Sequence, residues 1–149
     1  AAADQTLSGL QNSETLTLSG SGTVTSADVG TSKTITVGSL ALSDGTGTAS
    51  NYTITGGTHT LDVTQAVLSS SGSRTYDATT TAAAADQTLS GLQNSETLTL
   101  SGSGTVTSAD VGTSKTITVG SLALSDGTGT ASNYTITGGT HTLDVTLAY

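Results

Sequence analysis

The sequence predicts a mainly β chain built from tandem small β-sandwich or β-grasp-like modules arranged end to end and elongated. Three observations carry this. Apolar residues fall at alternate positions, which is the strand period, with one face toward a core and the other toward water. The intervening positions are filled by Thr and Ser, 34 and 22 of the 149 residues, and Thr combines a β-branched stem that favours extended backbone with a hydroxyl that stays hydrated. Turn residues break the chain at short intervals, and no segment carries a helical period.

Taken in order within one module, the alternating pairs are Leu16 and Leu18, Ile35 and Val37, Leu40 and Leu42, Tyr52 and Ile54, and Leu61 and Val63. These ten positions, with their copies 82 residues later, are the expected core. The outward faces are the Thr-x-Thr triplets beginning at Thr15, Thr23, Thr34 and Thr53. Between Val37 and Leu40 the apolar parity flips. A regular strand cannot flip without turning its core face to water, so a bulge or tight turn is expected at Gly38-Ser39. Further breaks fall at Ser19 to Gly22, Asp28 to Gly30, Asp44 to Gly47 and Gly56-Gly57. No segment shows a convincing helical period, although Thr6 to Asn12 or Ser26 to Gly30 could form one turn.

Laid on itself at an offset of 82, the chain pairs Ala1–Thr64 with Ala83–Thr146, and all 64 aligned positions are identical. Solenoid and propeller repeats run to about 20–50 residues because their units cannot bury a core alone. A period of 82 therefore reads as a small domain. The expected organisation is a first unit over 1–64 and a complete second unit over 65–149, joined near Val63 to Val67 without a Gly or Pro linker. The segment QAVLSSSGSRTYDATTTA, residues 65–82, occurs once. It is expected to supply at least one strand to the second unit, leaving the first with an uncovered sheet edge. That edge could be covered by upstream residues of a longer parent, which is the favoured expectation, by a strand donated in trans, or not at all in an opened unit.

Composition excludes several classes. Eleven acidic residues against three Lys and Arg give a net charge of −8, which repels phosphate backbones and anionic headgroups, so neither nucleic acid nor a membrane surface is an expected partner. The longest apolar run, Ala82 to Ala85, is far short of the roughly 18 residues of a membrane-spanning segment. The N-terminus lacks the basic and apolar regions of a signal peptide. There is no Cys, hence no disulfide and no thiolate metal site. Charged residues at 9% and patterned Val, Ile and Leu argue against disorder.

The ordered set SGSRTYDATTTA, LSGL, SADVGTSKTITV, LALSDGTGTASNYTIT and LDVT resembles the YDG-type repeat domain of large bacterial surface adhesins, a relative of the MBG repeats of filamentous haemagglutinin-like proteins. In this chain Tyr76-Asp77 is followed by Ala78, where the family has the Gly of its name. The resemblance implies an extracellular, mostly β module, repeated as a stalk, on the bacterial cell surface or in a secreted matrix.

Catalytic, cofactor and metal chemistry find no support among the residues. His59 and His141 are copies of one position without a second His in the unit, and read as surface residues at a strand start. No Gly-x-Ser-x-Gly nucleophile elbow occurs. Asp44-Gly45-Thr46-Gly47 lacks the alternating ligands and closing Glu of an EF-hand and reads as a polar turn. Lys33 with Asn51, and Lys115 with Asn133, have the residue types of an intramolecular isopeptide pair, but no buried carboxylate is expected beside them. Asn51-Tyr52-Thr53 and Asn133-Tyr134-Thr135 fit the N-glycosylation sequon, so Asn51 and Asn133 are candidate glycosylation sites. The competing reading is a chance match in a Thr-rich chain, with Asn capping a turn. Thr-rich ice binding would need triplets at a constant interval, which these lack.

The expected function is a non-enzymatic stalk or spacer in a bacterial cell-surface or biofilm-matrix adhesin, projecting a distal binding region. Its partners are the neighbouring identical repeats of the same chain. The alternative is a module that binds glycan or its own copies directly, working through avidity or strand donation.

Overall fold

The alternating Thr- and Leu-bearing segments fold as short strands in a computed structural model that describes residues 1–149. The first copy forms β1 (Leu16–Ser19), β2 (Gly30–Thr34), β3 (Ala41–Asp44) and β4 (Thr60–Val63). The single-copy segment then opens a longer series: β5 (Ala66–Val67), β6 (Ser69–Thr75) and β7 (Thr81–Ala83). The second copy continues with β8 (Gln87–Ser90), β9 (Leu98–Ser101), β10 (Ser103–Thr105), β11 (Gly112–Thr116), β12 (Ala123–Asp126), β13 (Tyr134–Thr135) and β14 (His141–Thr146). The chain divides into two compact units, Ala1–Thr64 and Gln65–Tyr149. The fold is mainly β, with small sheets and no α-helix.

In the second unit the sheet order is β11-β14-β6-β8, flanked by the pairs β12-β9, β10-β7 and β13-β5. Strand β6 sits inside the four-stranded sheet. It runs parallel to β14 in six registered pairs from Ser70↔His141 to Thr75↔Thr146, and antiparallel to β8 from Ser69↔Ser90 to Gly72↔Gln87. In the first unit only the pairs β1-β3 and β2-β4 remain.

The parity flip resolves as a turn. Gly38 takes φ 56° and the Leu40 N–H returns to the Val37 carbonyl at 3.0 Å. A second irregularity lies between β2 and β4, and again between β11 and β14, where the register shifts over Gly30/Lys33 and Gly112/Lys115. Ser32 and Ser114 sit there at φ 48° and 49°, and their N–H groups donate to Asp62 and Asp144 at 2.7 and 2.6 Å. A carboxylate thus holds each bulge open.

One-turn helices occur, though not where the sequence suggested. Thr6 to Asn12 and Ser26 to Gly30 are non-helical, whereas 3-10 turns form at Ala2–Asp4, Ala49–Asn51, Ala84–Asp86 and Ala131–Asn133. A three-residue turn is too short to carry a helical period, so periodicity misses it.

The second unit's core is Leu68, Ala82, Val106, Ile117, Leu122, Tyr134, Ile136, Leu143 and Val145. Leu98, Leu100, Val119 and Leu124 pack against it half-buried, together with Leu89 and Leu92. All ten predicted positions of this copy are therefore in or against the core. Leu68, Ala82 and Val106 are additions. In the first unit, of the same ten positions, only Ile35 and Leu40 are buried.

Candidate functional site: a strand position filled in one copy and open in the other

Because the two copies share one sequence, every difference between them reports on what residues 65–82 add. The first copy lacks strands at Gln5–Ser8, Ser21–Thr23 and Tyr52–Thr53, the counterparts of β8, β10 and β13. Each of those three strands has its partner in the single-copy segment: β8 with β6, β10 with β7, β13 with β5. The backbone bonds follow suit. In the second unit the Leu68 N–H donates to Thr135 O at 2.8 Å, Ser70 N–H to Thr140 O at 3.0 Å, and Val106 N–H to Thr80 O at 2.9 Å. Strand order in the second copy is thus induced by pairing, as expected for short Thr-rich segments of modest intrinsic preference.

The segment also delivers side chains. Leu68 has no exposed surface, and its backbone lies so close to Gly139 that a Cβ there would sit 1.9 Å from Leu68 O. A Cβ at Gly72 would sit 1.6 Å from Asp86 O. Both glycines are therefore needed for close backbone approach. Ser70 meets His141, Oγ to Nδ1 at 2.8 Å, and His141 Nε2 lies 2.8 Å from Ile136 O. A carbonyl can only accept, so Nε2 carries the proton, Nδ1 accepts, and Ser70 donates. At 5% exposed His141 is a core residue, not the surface residue expected from sequence. Parity could have found it, since His141, Leu143 and Val145 share one face. A Ser–His pair resembles half a hydrolase site. Here Ser70 is 3% exposed and its proton is directed at the ring inside the core, so the pair satisfies two buried polar groups and serves the fold.

In the first unit the corresponding space is empty of chain. Two hollows of about 60 and 170 Å³ adjoin at Gln5 and Leu40. Small-molecule pockets run to about 300–1,000 Å³, so these fit side chains of a strand better than a ligand. The larger is lined by Leu7, Ile54 and His59, the counterparts of Leu89, Ile136 and His141; in the other unit Ser70 pairs with Leu89 on one side and His141 on the other. The smaller is lined by Gly22, Val24, Ile35 and Leu61, the counterparts of the surface that takes Ala82, which pairs with Gly104. His59 keeps its bond to Ile54 O, at 2.7 Å.

The remaining sequence candidates take structural roles. Asp44 and Asp126 accept the Ala49 and Ala131 N–H groups at 2.6 and 2.7 Å, capping the 3-10 turns. Lys33 donates to Ser26 O at 2.6 Å and Lys115 to Ser108 O at 2.7 Å, with second bonds to the carbonyls of Asp28 and Asp110. The lysines that would serve an isopeptide bond thus tie the loop before β2 and β11. Asn51 and Asn133 end the 3-10 turns; Asn51 is exposed and Asn133 half-buried. Tyr52 and Tyr134 accept from the Gln11 and Gln93 N–H groups at 3.2 and 3.1 Å. No group of three or more His, Asp or Glu is gathered.

The YDG domain model matches residues 1–61 and again residues 60–142. The chain belongs to the YDG domain family. No curated protein and no solved structure matches it. The second match includes the Tyr76-Asp77-Ala78 turn that follows β6. Asp77 Oδ1 accepts the Thr79 N–H at 3.0 Å and its hydroxyl at 2.9 Å. These bonds, with Arg74 beside it at 3.4 Å, hold the Asp77 carboxyl below its usual range, the Thr79 N–H contributing most. Ala78 sits at φ 63°, in the left-handed region that a Gly enters without strain. The turn in this chain accommodates the Ala78 side chain at that angle. Arg74 donates onward to the Thr79 and Thr81 carbonyls, binding the turn to β7.

Proposed function

We propose that this chain is a stalk or spacer repeat of a bacterial cell-surface or biofilm-matrix adhesin, whose identical modules, placed end to end, carry tension and hold a distal binding region away from the surface. The observation that carries this reading is the parallel pairing of β6 with β14. These are the first long strand and the last strand of the complete unit. Tension enters at Ser69 and leaves at Thr146, which lie at opposite ends of the parallel pair. The load therefore shears six registered residue pairs together instead of unzipping them one after another. Supporting it, the His, Lys and Asp side chains singled out as candidate chemistry are engaged in holding turns, bulges and the core. Copying without divergence over 64 positions suits length better than a unique site.

The experiment is single-molecule stretching of the intact chain, pulled from its two termini. The expected trace shows two unfolding events of different force, the stronger releasing a length matching residues 65–146. A second unit that yields at the same force as the first would refute the load-bearing role. Scattering from chains with increasing numbers of complete units checks the spacer role. A maximum dimension that grows by a fixed step per unit is expected, and a dimension that saturates would overturn it.

A further inference from the structure

We infer that Asn94 is a self-modifying site: the Ser95 backbone nitrogen attacks the Asn94 carboxamide and converts the residue, through a cyclic imide, to aspartate and isoaspartate. Its copy Asn12 is the same site in the first unit. The chain has four asparagines, Asn12, Asn51, Asn94 and Asn133, and the structure divides them into two pairs. After Asn51 and Asn133 the next N–H is engaged, Tyr52 donating to Ala49 O at 3.0 Å and Tyr134 to Ala131 O, which closes the 3-10 turns. After Asn12 and Asn94 the next residue is an exposed Ser whose N–H has no hydrogen-bond partner. A backbone nitrogen that already donates must break that bond before it can attack. Only Asn12 and Asn94 are followed by one that is free.

The backbone favours the reaction. Asn94 and Ser95 are both left-handed, at φ 51° and 57°, at the corner of the turn closed by the Glu96 N–H on Gln93 O at 2.9 Å. Asn enters this region readily and Ser does not, so the strain that Ser95 holds is released as the turn opens toward ring closure. Nucleophile and carboxamide belong to adjacent residues, so they are never separated. The Ser95 N–H gives its proton to water or hydroxide, an N–Cγ bond forms, and the carboxamide C–N bond breaks with release of ammonia. Water then opens the imide. Attack at Cγ leaves aspartate, whereas attack at the Asn94 main-chain carbonyl leaves isoaspartate, with an extra carbon in the backbone. Either product adds a negative charge to the −8 of the chain. Isoaspartate also lengthens the turn that presents the Gln93 N–H to the Tyr134 hydroxyl at 3.1 Å, which loosens that tie to the core.

The test is incubation of the whole folded protein at neutral and mildly alkaline pH, with samples then cut by trypsin after Lys33, Arg74 and Lys115, which places each asparagine on its own fragment. Mass spectrometry reads the conversion of amide to acid, and isoaspartyl-specific methylation reads the rearranged product. Asn94 and Asn12 are expected to convert about tenfold faster than Asn133 and Asn51, the factor that one backbone hydrogen bond sets on a rate. Conversion should quicken as the pH rises and give isoaspartate together with aspartate. Ser95→Gly keeps the left-handed turn and uncovers the nitrogen, so Asn94 should react faster still, with Asn12 in the same sample unchanged. The inference is overturned if Asn94 converts no faster than Asn133, or if aspartate forms without isoaspartate, which is direct hydrolysis by water. It is equally overturned if Ser95→Gly leaves the Asn94 rate where it was.

Discussion

Leu61 and Leu143 stand in identical sequence, yet one is half-buried and the other has no exposed surface. The same holds for Val24 against Val106, Ile54 against Ile136, His59 against His141 and Val63 against Val145. Local propensity is equal in the two copies, so the difference measures tertiary context alone. It shows that three strands of the complete unit exist only because β5, β6 and β7 pair with them. A residue's burial here belongs to the assembled sheet.

Leu68→Ala is the largest expected break in the comparison. It removes a fully buried side chain and should cost the second unit about 2–5 kcal/mol, while the first unit's unfolding midpoint stays fixed. Equal shifts in both transitions would mean that the units share stability. Gly139→Ala and Gly57→Ala make the sharpest pair. The first places a Cβ 1.9 Å from Leu68 O, the second meets the His59 ring at 3.3 Å and Ile54 O at 3.4 Å. Overpacking should cost about 1–3 kcal/mol at Gly139, against within about 0.5 kcal/mol at Gly57, read by chemical denaturation with each transition resolved.

Ser70→Ala leaves His141 Nδ1 buried without a donor and should cost the second unit about 1–3 kcal/mol. A shift below a few tenths would show that the pair contributes nothing net. Ala78→Gly is the smallest effect and has the opposite sign. Relief of left-handed strain at about 1–2 kcal/mol exceeds the entropy added to the unfolded chain, at about 0.4–1 kcal/mol. A net gain of about 0.5–1 kcal/mol follows by difference, and a loss on thermal unfolding would mean that the Ala methyl packs usefully.

Much of the fold was legible because period-two patterning reports the buried face directly. Leu16, Leu18, Ile35 and their partners fall where alternation puts them, and the parity flip marks the Gly38 turn. Strand partners were not legible. Alternation says which side of a strand faces inward but not which strand lies beside it, so the parallel β6–β14 pairing and the central place of β6 could not be read. Val106 escaped because it is a single apolar residue between threonines, without an alternating neighbour. His141 escaped because residue type outweighed position: its place two residues before Leu143 marks it as inward-facing. The open strand position in the first unit was half legible, since repeat arithmetic shows the missing segment but not that Gln5–Ser8 and Ser21–Thr23 depend on it.

The central claim is that residues 65–82 create the second unit's extra strands by pairing with a sequence that otherwise stays open. Backbone amide hydrogen exchange on the unaltered protein tests it most directly, with residues 1–64 and 65–149 labelled separately so that identical positions are told apart. Val106, whose N–H is bonded to Thr80 O, should exchange with the slowest amides of the second unit, and Val24, its sequence twin, should exchange orders of magnitude faster. Equal protection of Val24 and Val106 would contradict the account, because it would mean that the 64-residue copy closes its sheet without the segment.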